Sequence, residues 1–311
     1  MQKKRLCFLV IAAALMAFYK PVGATETGFG AYLPGYRDFL AGVVPPYPGL
    51  YLRNDSYFYD GSAGRVVREG RIALDLDAFL FADIITASYV LPGTLLKANV
   101  AIGGALPVMH TRLEGTLTTA IGAPSREASQ TAQGNLILTP LMLGWHHKNF
   151  HWNFTTAFFL PTGKYDVNDV FNVGLNFVTI DPEVGFTYWD MKRGFDISTA
   201  IGYSVNFINQ ETDYQSGNAF HLDFAAQKTF RFGLRVGAVA YAWVQVQGDS
   251  GSGALLGPFK GRIFGAGPAL GWNFKVLEKH ELGLMFKYYR EFGAKNHFEG
   301  NAFDMALTFN F

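Results

Sequence analysis

Phe303-Asp304-Met305-Ala306-Leu307-Thr308-Phe309-Asn310-Phe311 ends the chain. Phe303, Met305, Leu307, Phe309 and Phe311 fall on one parity, and Asp304, Ala306, Thr308 and Asn310 on the other. Side chains on a strand alternate between faces, so one face is wholly apolar and the other small and polar. A strand that meets lipid on one side and a wet lumen on the other has this build. An edge strand of a soluble sandwich also has it, so the remaining sequence must decide.

The same two-residue period recurs along the chain. In 195–207, Phe195, Ile197, Ile201, Tyr203 and Val205 alternate with Asp196, Ser198, Gly202, Ser204 and Asn206. Comparable alternation runs through 72–81, 151–160, 220–227 and 281–288. It predicts about twelve strands, near 49–60, 70–90, 94–108, 134–147, 150–161, 180–190, 194–208, 218–230, 232–248, 260–275, 279–291 and 301–311. Tight turns are expected near Pro92-Gly93, Lys148-Asn149, 191–194, 231–233 and Glu278-Lys279. Long loops are expected near 60–70, 109–133, 162–179, 209–218, 248–260 and 292–300. Short turns alternating with long loops mark an up-and-down transmembrane β-barrel, with both chain ends on the periplasmic side for an even strand number. Trp145, Trp152, Trp189 and Trp272 sit near short turns, as a periplasmic aromatic girdle requires, while Trp243 lies deeper.

Composition agrees. Aromatic residues reach 16% and glycines number 35, yet no stretch after the leader is apolar for 18 residues, which excludes a helical membrane protein. Lys3, Lys4 and Arg5 precede an apolar run, Leu6–Phe18, and then the small-residue pattern Val22-Gly23-Ala24. Residues 1–24 therefore read as a secretory leader, with export to the outer membrane. Cys7, the one cysteine, lies within it, so the mature chain has no disulfide or thiolate chemistry. Loss of Lys3, Lys4, Arg5 and Lys20, with no acid, takes the formal charge from +1 to −3. Nothing in that balance points to nucleic acid, and no phosphate loop, zinc spacing or other cofactor or metal motif is present.

Residues 25–48 lack strand periodicity and carry Pro34, Pro45, Pro46 and Pro48. Tyr36 to Ala41 suits one or two helical turns. The segment is either a periplasmic tail or a plug entering the lumen, where Arg37 and Asp38 would meet polar groups of the wall. The barrel proper is expected over 49–311.

Parity gives the residues expected to face the lumen and set its selectivity: Asp75, Asp77, Phe79, His151, Asn153, Glu183, Asp196, Asn206, His221, Asp223, Arg235, Tyr241, Gln245 and Lys287. Phe81 and Trp243 join Phe79 and Tyr241 as an aromatic lining. Such polar groups ordinarily do no more than satisfy one another; a selective constriction is the functional alternative. Lumen-facing Gly202 and Ala225 are expected to tolerate substitution better than lipid-facing Ile201 and Phe224. His221 and Asp223, with Ser198 or Ser204 on the preceding strand, offer the residues of a Ser-His-Asp relay, but no nucleophile motif accompanies them, so an enzyme is not expected. Asp213 and Asp249 lie in Gly-rich loops without the ligand order of a calcium site.

Several stretches look familiar: PPYPGLYLRNDSYFYDG (45–61), PTGKYD (161–166), NVGLNFVTIDPEVGFTYW (172–189), GYSVNFINQETDYQSGNAFHLD (202–223), GDSGSGALLGPFKGR (248–262) and FKYYREFGAKN (286–296). Together they resemble the Gram-negative outer-membrane family named for the MetA pathway of phenol degradation. The resemblance implies a barrel associated with aromatic-compound catabolism and a transport role, with no catalytic residues to carry over. The expected function is passive uptake of small hydrophobic or aromatic compounds, captured by loops rich in Tyr, Phe and Gly. The alternatives are a lipid-acting outer-membrane enzyme and a structural, non-transporting barrel. The expected partners are outer-membrane lipid, the solute, and the barrel-assembly machinery acting on strand 303–311.

Overall fold

The computed structural model describes residues 29–68, 71–117, 125–169, 171–255, 257–276 and 280–310. The leader expected at 1–24 lies outside them. The strands are β1 (Gly49–Arg68), β2 (Arg71–Leu95), β3 (Ala98–Leu117), β4 (Ser125–Gln133), β5 (Ile137–His147), β6 (Phe150–Phe159) and β7 (Thr179–Asp190). They continue with β8 (Phe195–Asn206), β9 (Ala219–Thr229), β10 (Leu234–Gln245), β11 (Arg262–Val276), β12 (His280–Lys295) and β13 (Glu299–Asn310). All pairings are antiparallel, and β13 pairs with β1 from Tyr51↔Asn310 to Ser62↔Glu299, which closes the sheet. Closure pairs every strand but β4 on both sides, the condition for crossing a hydrocarbon layer with strands. No strand in the terminal alternation is out of phase: Phe303 and Leu307 are exposed, and Ala302, Asp304 and Ala306 are buried.

The barrel has twelve strand positions, and β4 is an additional strand. Both β4 and β5 pair with β3, β4 along 108–116 and β5 along 99–105. They are the upper and lower parts of one wall position, interrupted at Gly134-Asn135-Leu136.

Three expected loops are instead extended hairpins. The stretches 60–70 and 109–133 are largely strand, and only 296–298 separates β12 from β13. Alternation persists there, with Tyr57, Tyr59 and Ala63 buried between exposed neighbours, so Gly and Asp on the outer side do not break the ladder. The turn expected at Pro92-Gly93 also moves. The β2–β3 ladder is irregular between Val90 and Thr94, where proline lacks a donor. The hairpin turns at Leu96 and Lys97, both left-handed at φ 52 and 63, as a two-residue turn of this hand requires. The helical turn expected at 36–41 is a run of bends and turns, with Leu40 at φ 61.

The inward parity assigned to β2 is corrected. Leu76, Ala78, Leu80 and Ala82 are buried on the inner face. Asp77 is exposed, and Phe79 and Phe81 are half-buried on the outer face. The 25 residues of β2 far exceed the ~9–11 that cross a bilayer. Its first half projects beyond the apolar belt, so Asp77 meets water outside while the inner face packs apolar groups. The side chain of Asp75 lies outside the described set.

At the short-turn end, Trp145 stacks on Trp152 across β5–β6, with ring centroids 6.4 Å apart. Phe150 meets Tyr188, and Phe232 meets Trp272. Trp145, Trp152 and Trp272 sit in the expected girdle, and Trp243 is buried on the inner face. Trp189 does not join them: it shares the inward parity of Glu183 and Thr187 on β7 and packs on His151, ring centroids 5.9 Å apart. Ile201 and Phe224 point outward near the middle of β8 and β9. Ile201→Arg or Phe224→Arg is expected to cost about 2–4 kcal/mol, read as a lowered urea midpoint for unfolding from lipid vesicles. Gly202 and Ala225 are not the tolerant sites their lumen parity suggested. Ala225 is fully buried, and a Cβ on Gly202 would run into the His221 ring.

Candidate functional site

Residues 29–48 run along the inside of the barrel from the long-loop end to the foot of β1. Near the foot, Gly42 donates its N–H to Thr187 Oγ1 at 2.9 Å, and Asn153 Nδ2 donates to Ala41 O at 2.7 Å. Leu40 N–H donates to Ser198 Oγ at 2.9 Å. At mid-height, Arg37 Nε pairs with Glu183 at 2.8 Å. Asp38 lies 2.9 Å from both Arg53 of β1 and Lys287 of β12. Higher up, Asp223 accepts the Gly35 and Arg37 N–H groups at 3.0 and 3.1 Å and the Tyr32 hydroxyl. At the top, Phe29 stacks on Phe298, centroids 4.7 Å apart.

The wall makes room for this segment with glycine. Gly185 faces inward in β7, and a Cβ there would lie 2.5 Å from Ala41 O. Gly144 faces Val44 in the same way. An interior strand glycine often marks close approach of another backbone.

Lys287 is completely buried, and its ammonium bonds Asp38, Asp304 at 2.7 Å and the carbonyl of Gly35 at 3.0 Å. Arg53 binds Asp55 at 2.6 Å as well as Asp38. Charges in a poorly solvated interior persist only with such pairing.

Of the residues singled out by parity, Asn153, Glu183, Asp196, Asn206, His221, Asp223, Tyr241, Gln245 and Lys287 are buried within the barrel. His151 and Arg235 are half-buried on the same inner face. Arg37 and Asp38 both meet charged groups of the wall. Only part of the set converges: Asn153, Glu183, Asp223 and Lys287 bind the segment, Asp196 binds Gln227, and Gln245 binds Asp249 in the upper loops. Sequence reasoning missed Tyr32, Arg53, Asp55 and Asp181. Asp181 shares the parity of Glu183, and Arg53 that of Asp55, so strand period alone could have found them.

The Ser-His-Asp relay does not assemble among these residues. His221 Nε2 lies 3.0 Å from Asp181 Oδ1, Ser204 Oγ donates to Asp181 Oδ2 at 2.5 Å, and Asp223 is taken by the segment. Asp249 is bound by Tyr214, Gln245 and the Gly217 N–H, and Asp213 by Ser252. Among the described residues no group of three or more His, Cys, Asp or Glu is placed to hold a metal ion.

The segment leans on the β6–β9 and β12 side and leaves space on the other. An apolar cavity of about 150 Å³ lies beneath the long loops, between Phe29–Pro34, the inner faces of β1–β3 and the 171–175 loop. Below it, a cavity of about 420 Å³ runs beside Tyr36, Asp38, Thr86, Ser88 and Met142. The two share Ala31, Tyr32, Leu33, Ile84, Ile137 and Phe159 as lining.

The model of the family Putative MetA-pathway of phenol degradation matches residues 57–307. The chain belongs to this family. No curated protein sequence matches it. Among solved structures, the COG4313 outer membrane channel from Pseudomonas putida F1 aligns with a TM-score of 0.64 at 13% identity, covering 90% of this chain and 100% of that one. At that identity the likeness is one of fold, an outer-membrane β-barrel. The transport unit of the autotransporter AIDA-I from Escherichia coli matches more distantly, with a TM-score of 0.46 at 10% identity over 88% of this chain and 93% of that one. A Pseudomonas aeruginosa FadL homologue gives 0.41 at 7% identity over 92% and 97%.

His297, in the turn between β12 and β13, lines the upper cavity. Burial lowers its pKa from 6.5 to about 4, so it is neutral near pH 7. The unfolded chain then binds the extra proton between those values, and stability falls as pH drops from about 6.5 to about 4. His297→Gln should flatten that part of a pH–unfolding profile. A larger loss is expected for Lys287→Ala, which strands Asp38 and Asp304 together. About 3–5 kcal/mol should disappear, seen as a fall in the denaturant midpoint of the refolded barrel.

Proposed function

We propose that this family member is an outer-membrane channel for passive uptake of small hydrophobic or aromatic compounds. The observation that carries the proposal is the pair of abutting cavities, apolar under the loops and mixed below, running past the segment on one side of the barrel. A ligand site of this kind is concave and mostly apolar, with a few fixed polar groups. The upper cavity, walled by Leu80, Ile84, Met109, Phe159 and Phe171, offers an apolar solute a dry receptor. The lower one leads it past Thr86, Ser88 and Thr139 toward the short-turn end. Family membership supports a link to aromatic catabolism.

Residues 29–48 act as the plug in this scheme. They fill the cross-section on the β6–β9 side and leave a path whose upper part is too narrow and too apolar for a hydrated sugar. Beyond its chain link to β1, the plug is held by ion pairs and hydrogen bonds. Its position can therefore respond to substitution at the anchors.

Solute flux into liposomes carrying the refolded mature protein tests this. Toluene and phenol should enter faster than into protein-free vesicles, and arabinose should not. Removing residues 25–48 should admit arabinose and reduce discrimination at least severalfold. Failure of the intact, heat-modifiable barrel to pass any apolar probe would overturn the uptake function. Unchanged arabinose exclusion after truncation would overturn the plug.

A further inference from the structure

The upper and lower cavities meet at a collar of six residues. Ala31, Tyr32 and Leu33 come from the internal segment, and Ile84, Ile137 and Phe159 from the wall. The wall residues are held in register. Ile137 pairs with Phe159 on β6 and with Ala105 on β3, and Ala105 pairs with Thr86, two residues along β2 from Ile84. Ile84 and Phe159 are buried, and Ile137 packs against the same apolar core. None of the six is charged, and the one hydroxyl among them, on Tyr32, donates to Asp223.

The segment side of the collar is equally fixed. Leu33-Pro34-Gly35-Tyr36 has the build of a type II turn. Tyr36 N–H donates to Leu33 O at 3.2 Å, proline stands second, and Gly35 stands third at φ 82. Proline presets its own φ, and glycine supplies the left-handed residue. The turn is tied to two strands. Gly35 N–H donates to Asp223 of β9 at 3.0 Å, and Gly35 O accepts from Lys287 Nζ at 3.0 Å and the Tyr289 hydroxyl at 3.1 Å, both of β12. A Cβ on Gly35 would lie 2.7 Å from the Tyr289 ring, so the turn already touches that wall. Tyr32 stacks on His221, ring centroids 3.5 Å apart. Ala31 is small and Tyr32 is committed to His221 and Asp223. Leu33 is left as the bulky apolar group that the segment presents to both cavities.

We propose that Leu33 is the size-determining residue of the path. Held by its turn opposite Ile84, Ile137 and Phe159, it passes single rings and holds back fused double rings. This rests on the uptake function and adds to it the side chain that limits the solute. The upper cavity, at about 150 Å³, is the size that holds one benzene-sized ring, so collar and cavity select the same class. The pinned turn cannot back away from the wall, so bulk added or removed at residue 33 is felt in the opening. The side chain of Leu33 is only half-buried, and the turn uses its carbonyl, so the residue can be exchanged with the turn intact.

The test uses the refolded mature protein in phosphatidylcholine vesicles, with entry into protein-free vesicles subtracted. Phenol and 2-naphthol carry the same hydroxyl and differ by one fused ring, and arabinose reports whether the segment still fills the lumen. Native protein should pass phenol at least about tenfold faster than 2-naphthol. Leu33→Ala should cut that ratio at least about fivefold by raising 2-naphthol entry, with arabinose still excluded. Leu33→Trp should slow phenol at least about tenfold in a barrel that stays heat-modifiable on a gel.

Equal entry of phenol and 2-naphthol through the native protein would overturn the proposal without any variant. If native protein passes phenol and both variants keep its rate and ratio, uptake stands and the role of Leu33 falls. That role falls too if Leu33→Ala admits arabinose along with 2-naphthol, because the segment has then moved as a whole. If native protein passes neither aromatic, the uptake function falls and Leu33 with it.

Discussion

A charge inside this barrel must find a partner there, and the cluster around Asp38 provides one for the two cations nearest the seam, Arg53 and Lys287. Arg53 comes from β1, Lys287 from β12 and Asp304 from β13, so the cluster straddles the seam where the last strand meets the first. Asp38 enters from the internal segment and is shared by both cations. One carboxylate thus joins the closing strands to the chain that fills their lumen. Pairing of this kind is a poor source of net stability, but its disruption is costly, because the remaining charges stay buried. It fixes one arrangement of seam and segment and penalises others.

From that anchor the asymmetry of the interior follows. Hydrogen bonds to Thr187, Ser198, Asn153 and Asp223 pull the segment toward β6–β9, and Lys287 holds it to β12. The upper wall formed by β1–β3 is left mainly to apolar side chains such as Leu80, Ala82 and Ile84, while Arg53, Asp55 and Thr86 meet the segment below. Buried polar backbone needs partners, so it lies where side-chain donors and acceptors are dense. The space under the long loops is apolar by the same logic, and the cavity below it, beside the segment's charged groups, is mixed.

Strand parity made the fold legible, because lipid outside and pairing inside impose opposite chemistry on neighbouring residues. Phe303 to Asn310, Phe195 to Asn206 and Ala219 to Thr229 obey that rule along their length. β2 breaks it at Asp77 and Phe79 because the rule depends on depth. Beyond the apolar belt the outside is water and the inside is a packed apolar space, so the polar and apolar faces exchange. The extended hairpins were misjudged as loops for a related reason, since Gly and Asp end a strand only where the ladder has no neighbour to continue it. Parity also found Lys287, Glu183 and Asp223 but could not pair them with Asp38, Arg37 and Tyr32. Those contacts join residues far apart in the chain and depend on where an aperiodic segment lies.

The internal segment has a consequence for how the molecule is assembled. It is joined to β1 and runs the height of the lumen, yet its partners sit on β6 through β9 and on β12. Tyr32, Tyr36 and Phe39 make it bulky, and a finished barrel would have to accept it end-on, against the closeness of Gly144 and Gly185. Threading a preformed pore is thus the harder route. Closure of the β13–β1 seam around a segment already lying on the β6–β9 wall asks less of the chain.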